Sequence, residues 1–160
     1  MTRYLLITLA AATSASFAQE PSRFRASIDN FGGHTYSAEL RDGKLVYSDA
    51  TSAKSAEPIT ITPSAEQWRE LRRTLDEIGV WIWHENYVPN EPIMDGTGWS
   101  FSIRYPDRSL VSGGGNCYPD AQGNPTGVPI RTPGFTRFEA AIEALLGGRP
   151  FRSADHEANR

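Results

Sequence analysis

Large apolar residues alternate with polar residues from Trp99 to Tyr105, and this alternation is the strongest constraint on the fold. Trp99, Phe101, Ile103 and Tyr105 occupy every second position of the segment. Successive side chains of a β-strand point to opposite faces, so the pattern predicts a strand with one buried face. Three of the four tryptophans lie in this segment or in residues 80–84, and large aromatic side chains bring the most apolar area to a core. We therefore expect the core to form around these two segments.

Further strands are predicted on both sides of this one. The period-two pattern recurs in residues 22–31 and 36–41, and Asp42-Gly43 follows the second segment. Both central positions of a type I′ turn need positive φ, so Asp-Gly predicts a two-residue hairpin that returns through residues 44–48. The complete set of predicted strands is 22–31, 36–41, 44–48, 59–61, 80–84, 99–105 and 109–112.

Two segments have the period of an amphipathic helix. Apolar residues follow 3, 4, 3 spacing in each, which places them on one face. The two stripes are Trp68, Leu71, Leu75 and Ile78, and Phe135, Phe138, Ile142 and Leu145. The first helix begins either at Thr62-Pro63 or at Ser64, which forms a capping box with Gln67. Gly79 is expected to end it, and Thr132-Pro133 to begin the second helix.

These elements predict an α+β domain: a twisted antiparallel sheet of about six strands with two amphipathic helices packed on one face. The hairpins 36–47 and 101–112 are each followed by a Thr-Pro dipeptide and a helix, a pattern compatible with two hairpin-plus-helix halves or with chance recurrence. Residues 48–57 and 85–94 are predicted loops. We expect one domain over residues 19–148, followed by a flexible, polar C-terminal tail over residues 149–160.

The N-terminal residues 1–18 have the order of a signal peptide. A short basic start precedes an apolar run, and Ser16 and Ala18 fit the −3 and −1 positions of a cleavage site before Gln19. The apolar run is too short for a stable membrane anchor. We therefore expect an exported protein, periplasmic or secreted, with no membrane insertion after cleavage.

Charge and cysteine content exclude several classes of function. Removal of Arg3 reduces Lys+Arg from 16 to 15 against 19 Asp+Glu, which gives a net charge of −4. An acidic chain without a basic run is a poor binder of nucleic acid. Cys117 is the single cysteine, so the core and not disulfides must hold the domain. The expected partner is an unknown protein or envelope ligand.

Several short motifs resemble a family of uncharacterised exported bacterial domains. The shared residues extend over about residues 31–147, and the resemblance implies no named activity, cofactor or catalytic residue. In that family a small residue usually occupies the position of Cys117, which argues against a nucleophile there. The motifs are Gly33-x-x-Tyr36-Ser37, Asp42-Gly43-x-Leu45-x-Tyr47, Trp81-x-Trp83, Tyr87, Asp95-Gly96-x-x-Trp99, Gly115-Asn116-Cys117-Tyr118-Pro119 and Phe135-x-x-Phe138.

Catalytic arrangements have little support. A small envelope hydrolase using His84 with Asp95 or Cys117 is the alternative to a binding protein, and a purely structural envelope protein is a third hypothesis. No protease-type signature surrounds Cys117, so a free cysteine in a loop is favoured. Glu85, Asp95 and Asp107 could supply an acid–base pair, but carboxylates in turns are usually solvated. We assign no catalytic residue.

Metal and phosphate sites are not indicated either. His34, His84 and His156 have no zinc-type spacing. Residues 95–98 begin like a calcium loop but lack its later acidic ligands, and the glycine run 112–116 lacks the Lys-Ser/Thr of a phosphate-binding loop. No metal and no cofactor are predicted.

The remaining candidate is a pair of loops. Residues 85–98 and 113–129 flank the strand that carries Trp99. Long loops on a rigid sheet are common binding sites, and Tyr, Asn and Gly are common recognition residues. We therefore predict an exported non-catalytic binding domain, although the tyrosines could instead cover the sheet edge. The predicted ligand-binding residues are Tyr87, Asn90, Asp95, Asn116 and Tyr118.

Overall fold

The computed structural model describes residues 20–30, 33–51, 54–93 and 96–152. Over these residues it contains one eight-stranded sheet, two α-helices and a short 3₁₀ helix, so the α+β prediction is confirmed. The predicted signal peptide lies outside the described residues. The strands are β1 Arg23–Asn30, β2 Thr35–Arg41, β3 Lys44–Thr51, β4 Lys54–Ser55, β5 Ile59–Ile61, β6 Asn86–Tyr87, β7 Thr97–Arg104 and β8 Ser109–Gly115; the helices are α1 Ala65–Glu77 and α2 Pro133–Leu145.

The sheet has the order β4-β3-β2-β1-β7-β8-β6. β5 lies outside this order and pairs with β3, as β4 does. All described pairs are antiparallel except β6 with β8, which is parallel. The sheet is therefore mixed, and the described part of the chain has two more strands than the expected six. The hairpins β2–β3 and β7–β8 lie on opposite sides of β1.

Strand register places the apolar residues on one face. Ala26 of β1 lies beside Ala38 of β2 and Phe101 of β7, and all three are buried. The opposite face carries polar and charged residues such as Arg25 and Glu39, and Ser27 and Ser100 join their hydroxyls across it at 2.8 Å. The helices cover the apolar face, which explains why the alternation in the sequence predicts these strands.

The β2–β3 hairpin has the predicted turn. Asp42 and Gly43 have φ values of 50° and 73°, as a type I′ turn requires. Its twist matches that of the flanking strands, so β2 and β3 pair in register from Arg41 with Lys44 to Thr35 with Ala50.

Helix α1 begins at the capping box and not at Thr62-Pro63. Ser64 accepts a hydrogen bond from the Gln67 backbone, and the Gln67 side chain accepts one from the Ser64 backbone. Trp68 is 3% exposed, and its ring meets Phe24 of β1 edge-on at 5.6 Å. The apolar stripe of α1 therefore packs on the sheet as predicted.

Helix α2 begins where the sequence predicts. Thr132 accepts a hydrogen bond from the Phe135 backbone, and Pro133 occupies the first turn, where its missing N–H costs nothing. The predicted stripe is buried. Glu139 is buried on the same helix, which the sequence analysis did not predict.

Residues 80–84 do not form the predicted strand. Gly79, at φ 69°, ends α1, and a 3₁₀ helix follows over Val80–Ile82. The Trp83 N–H donates to the Val80 carbonyl at 3.0 Å, which satisfies backbone groups locally instead of in the sheet. Trp83 therefore turns into the core, whereas Trp81 stays half-buried near the surface.

Two predicted loops contain short edge strands. β3 continues to Thr51 and pairs with β4 inside the segment 48–57, and β6 lies inside the segment 85–94. A two-residue strand is too short to show a period in the sequence. Each forms because a neighbouring strand offers free backbone groups at its edge. β8 likewise extends three residues beyond its predicted end at Ser112.

The first residues of the predicted C-terminal tail pack on the domain. Phe151 is 1% exposed, and its N–H donates to Glu143 Oε1 at 3.1 Å. Tyr47 Oη donates to the Pro150 carbonyl at 2.7 Å. Residues 153–160 lie outside the described residues. Across the described ranges, none of the helices has both the length and the apolar character needed to cross a membrane.

Candidate functional site

The two loops predicted to bind a ligand lie against each other. The Gly113 N–H donates to the Glu85 carbonyl at 3.0 Å, and the Asn90 N–H donates to the Gly127 carbonyl at the same distance. The first bond continues the parallel pairing of β6 with β8. Because backbone hydrogen bonds join the loops to each other and to the sheet, they form one supported unit.

Tyr87 and Tyr118 do not belong to an exposed binding surface. They are 1% and 3% exposed. Tyr87 Oη donates to the Gly123 carbonyl at 2.5 Å and accepts from the His84 N–H at 2.9 Å. Burial raises the pKa of both phenols. Both predicted ligand-binding tyrosines therefore cover the apolar face inside the domain, and Tyr87 also satisfies loop backbone.

An aromatic cluster lies beneath the loops. The Trp99 ring lies within 5.9 Å of the Trp83 ring, 5.5 Å of the Tyr87 ring and 4.9 Å of the Phe135 ring. Trp99 Nε1 donates to the Cys117 carbonyl at 2.9 Å. Offset and edge-on ring pairs add to the stabilisation from apolar burial, so this cluster anchors both loops to α2.

The predicted asparagines have structural partners. Asn116 has φ 51°, and its Oδ1 accepts from the Thr97 N–H at 2.9 Å, which joins the end of β8 to the start of β7. A Cβ at Gly96 would lie 1.8 Å from the Asn116 side chain, so a larger residue there would displace that side chain from Thr97. Asn90 is exposed, with its side chain over Gly127. Asp95 lies outside the described residues.

The outer side of the loops carries aliphatic side chains. Among the described residues, seven large hydrophobic side chains are exposed, and five of them lie in these loops or directly beside them. These residues follow neither a helical nor a strand period in the sequence. The absence of a period is the one sequence signal that could have identified them as surface residues. We call these five side chains the loop surface: Ile82 (58% exposed), Val88 (70%), Ile93 (37%), Val128 (43%) and Ile130 (63%).

Cys117 is enclosed in the fold. It is 0% exposed, and its Sγ accepts from the Gly127 N–H at 3.3 Å. His84 is exposed, and its backbone bonds to Tyr87 and to Ser112 Oγ. A nucleophilic thiol must be reachable by its substrate, so the environment of Cys117 is that of a structural cysteine.

The other candidate carboxylates are separated from one another. Asp107 accepts from Arg72 Nη1 and Nη2 at 3.1 and 2.8 Å, and this guanidinium holds the pKa of Asp107 well below its usual range. Glu85 is exposed beside β6. Within the described ranges, no three His, Cys, Asp or Glu side chains are arranged to hold a metal ion, and His156 lies outside them.

Two polar pairs lie at the end of the apolar face near α2. His34 Nε2 is 2.5 Å from Asp49 Oδ1, and the His34 ring rests on Tyr36 at 4.4 Å. Arg131 Nε is 3.1 Å from Glu139 Oε1, and Glu139 is 3% exposed. Sequence reasoning missed both pairs, because their members are distant in the chain and share no motif.

A surface cluster surrounds Trp81 on the other side of the domain. The Arg72 guanidinium lies 5.1 Å from the Trp81 ring and 4.5 Å from the Tyr105 ring, and Arg108 lies 5.2 Å from Trp81. Trp81 Nε1 donates to Asp76 at 2.6 Å. These groups satisfy one another and fix α1 to the β7–β8 turn, so we assign the cluster a structural role.

Comparisons with known proteins assign no activity. No protein-family model matches the chain, and no curated protein matches it. The resemblance to the exported bacterial domains therefore stays a prediction.

Proposed function

We propose that this protein is an exported, non-catalytic interaction domain that binds its partner through loops 85–98 and 113–129. The observation that supports the proposal is the concentration of exposed aliphatic side chains on the outer side of these loops. Exposed apolar side chains grouped on a supported scaffold are typical of protein-binding surfaces. Burying one aliphatic side chain contributes roughly 1.5–3 kcal/mol, so several must be buried together to offset the cost of association, about 4–15 kcal/mol.

The charges of the loops define the partner further. Residues 85–98 and 113–129 contain four acidic residues and no Lys or Arg. One of them, Asp120, accepts backbone hydrogen bonds from Gln122 and Asn124, which lower its pKa and keep it ionised. The complementary partner is a protein with an apolar patch bordered by Lys or Arg. Added salt is expected to slow association, because exposed charges act mainly on the on-rate.

The hydrolase alternative has less support. It needs a thiolate or a His–carboxylate pair that a substrate can reach. Cys117 is fully buried. The His84 backbone bonds to Tyr87 Oη and Ser112 Oγ, and the His84 ring lies 5.9 Å from the Tyr87 ring.

The test is capture of the partner by matched variants. Tagged protein is expressed in the producing cell, cross-linked and analysed by mass spectrometry. Wild type and the control Ile59→Ser/Val111→Ser, whose exposed aliphatic residues lie elsewhere, are expected to retain the same partner. Val88→Ser/Val128→Ser is expected to lose it. Equal capture by the two double variants would contradict the proposal.

Export has its own test. Because residues 1–18 have signal-peptide order, the mature chain is expected to begin at Gln19. Amino-terminal sequencing of the protein from the producing cell measures this directly. An intact Met1 in the soluble fraction would exclude export by this signal.

A further inference from the structure

Glu139 lies on the buried face of α2 beside Arg131. Their Nε–Oε1 distance is 3.1 Å, but the N–H is not aimed at the oxygen, and neither atom makes a well-formed hydrogen bond within the described residues. The Arg131 side chain is 13% exposed and the Glu139 side chain 4%. A buried pair with poor hydrogen-bond geometry compensates only partly for the loss of hydration, so the pair is sensitive to the charge of either member.

The groups around the Glu139 carboxyl come from several elements. Arg131 approaches from the segment before α2, Arg152 from the C-terminal segment and Glu143 from α2 itself. Tyr118 approaches from the loop after β8, with its ring 5.8 Å from the Arg131 guanidinium. Arg152 is bound to Glu143, so Arg131 is the main countercharge. Burial raises the pKa of Glu139 to about 7, and Arg131 opposes this shift.

Arg131 also connects α2 to the loop surface. The segment 127–132 is anchored at one end by the Gly127 N–H on Cys117 Sγ, at 3.3 Å, and at the other by Thr132 Oγ1 on the Pro119 carbonyl, at 2.7 Å. Between these anchors Val128 and Ile130 point to solvent, whereas Arg131 reaches inward to Glu139. The ion pair therefore positions the part of the chain that carries two of the five loop-surface side chains.

We propose that the Glu139–Arg131 pair is a pH-sensitive latch for the loop surface. When Glu139 is ionised, it holds Arg131 and fixes the segment 128–131 against α2. When Glu139 takes up a proton, Arg131 loses its countercharge, moves toward water and releases the segment. The regulatory meaning of this latch depends on the proposed binding function, but the latch itself is measurable without any partner.

The experiment is an NMR titration of ¹⁵N- and ¹³C-labelled protein, expressed from the full sequence, between pH 8 and pH 5. The Glu139 side-chain carbonyl and the amides of residues 128–131, apart from Pro129, are expected to shift together with a midpoint near pH 7. In Glu139→Gln the amide shifts are expected to fall by about fivefold or more, because no proton is taken up there. His34→Gln is the control, since it removes the other polar pair, His34 with Asp49, and it is expected to leave the shifts unchanged.

The carbonyl signal keeps the test decisive if Glu139→Gln does not fold, because it reports protonation in the wild type. A Glu139 midpoint below about pH 5.5, close to that of an ordinary carboxyl, would overturn the latch. Amide shifts that persist in Glu139→Gln would overturn it as well. Neither result depends on partner capture, so failure of the latch is distinguishable from failure of the proposed binding function.

Discussion

The inner and outer sides of the same two loops are built from different kinds of side chain. On the inner side Tyr87 and Tyr118 join the cluster around Trp99 and are buried. On the outer side Val88 and Val128 are 70% and 43% exposed. A tyrosine side chain buries more area than valine and carries a hydroxyl that can satisfy loop backbone, so it suits the covered side. Recognition-type composition therefore does not show which residues of a loop are free to bind.

The largest expected effect compares the two tryptophans of the Trp-x-Trp motif. Trp83 packs against Phe135 and Phe138 in the core, whereas Trp81 lies in the surface cluster. Trp83→Ala should lower the free energy of unfolding by roughly 3–5 kcal/mol, the range for core aromatic truncations. Trp81→Ala should cost only about 1–2 kcal/mol, since it loses mainly cation–π and edge contacts. Urea denaturation measures both free energies of unfolding. Equal losses would show that burial does not distinguish the contributions of Trp83 and Trp81 to stability.

Wild type and Glu139→Gln are expected to differ in how their stability depends on pH. The raised pKa of Glu139 means that the folded protein binds its proton more tightly than the unfolded chain does. The resulting stability is fully present below about pH 4.5 and is lost as the pH rises through about 7. Relative to Glu139→Gln, wild type should therefore lose about 2 kcal/mol between pH 5 and pH 8. Urea melts across this range measure it, and parallel curves for the two proteins would contradict the assignment.

A sharper test of the inner side compares Tyr87 with Tyr105, a buried phenol in the Trp81 cluster. Tyr87 Oη bonds to the Gly123 carbonyl and the His84 N–H, so Tyr87→Phe leaves buried groups unpaired and should cost about 1–2 kcal/mol. Tyr105 Oη is buried and has no hydrogen-bond partner within the described residues. Tyr105→Phe should therefore be neutral or stabilising. Thermal unfolding of both variants measures these changes in stability. A loss of stability confined to Tyr105→Phe would contradict the prediction.

The smallest expected effect on stability is at the outer side. Val88 is largely exposed, so Val88→Ser should change the free energy of unfolding by less than about 0.5 kcal/mol. A loss above about 1 kcal/mol in urea melts would show that Val88 supports the fold, which would remove it from the loop surface.

The regular elements were predictable because their periods are long and uninterrupted. The stripes of α1 and α2 and the alternation of β1 and β7 each repeat several times, and burial on one face follows directly. The strand predicted over residues 80–84 failed because Gly79 leads into a 3₁₀ helix whose backbone bonds are local. β4 and β6 are too short to carry a period.

The candidate site was predictable only in its location. Loop composition located the two loops, but the direction of each side chain depends on contacts with distant residues. Tyr87 is buried because Trp99 and Gly123 offer a ring contact and an acceptor. Glu139 pairs with Arg131 across the start of α2, and no spacing rule links these two positions.

The central claim is that the outer side of the loops meets the partner. Site-specific photo-cross-linking in the producing cell tests it most directly, with a photoreactive amino acid placed at position 88 or at position 111. Val88 and Val111 have similar exposure, 70% and 59%, but Val111 lies on the open face of the sheet. The account predicts a discrete cross-linked protein from position 88 and none from position 111. Cross-links from position 111 alone, or from neither position, would contradict it.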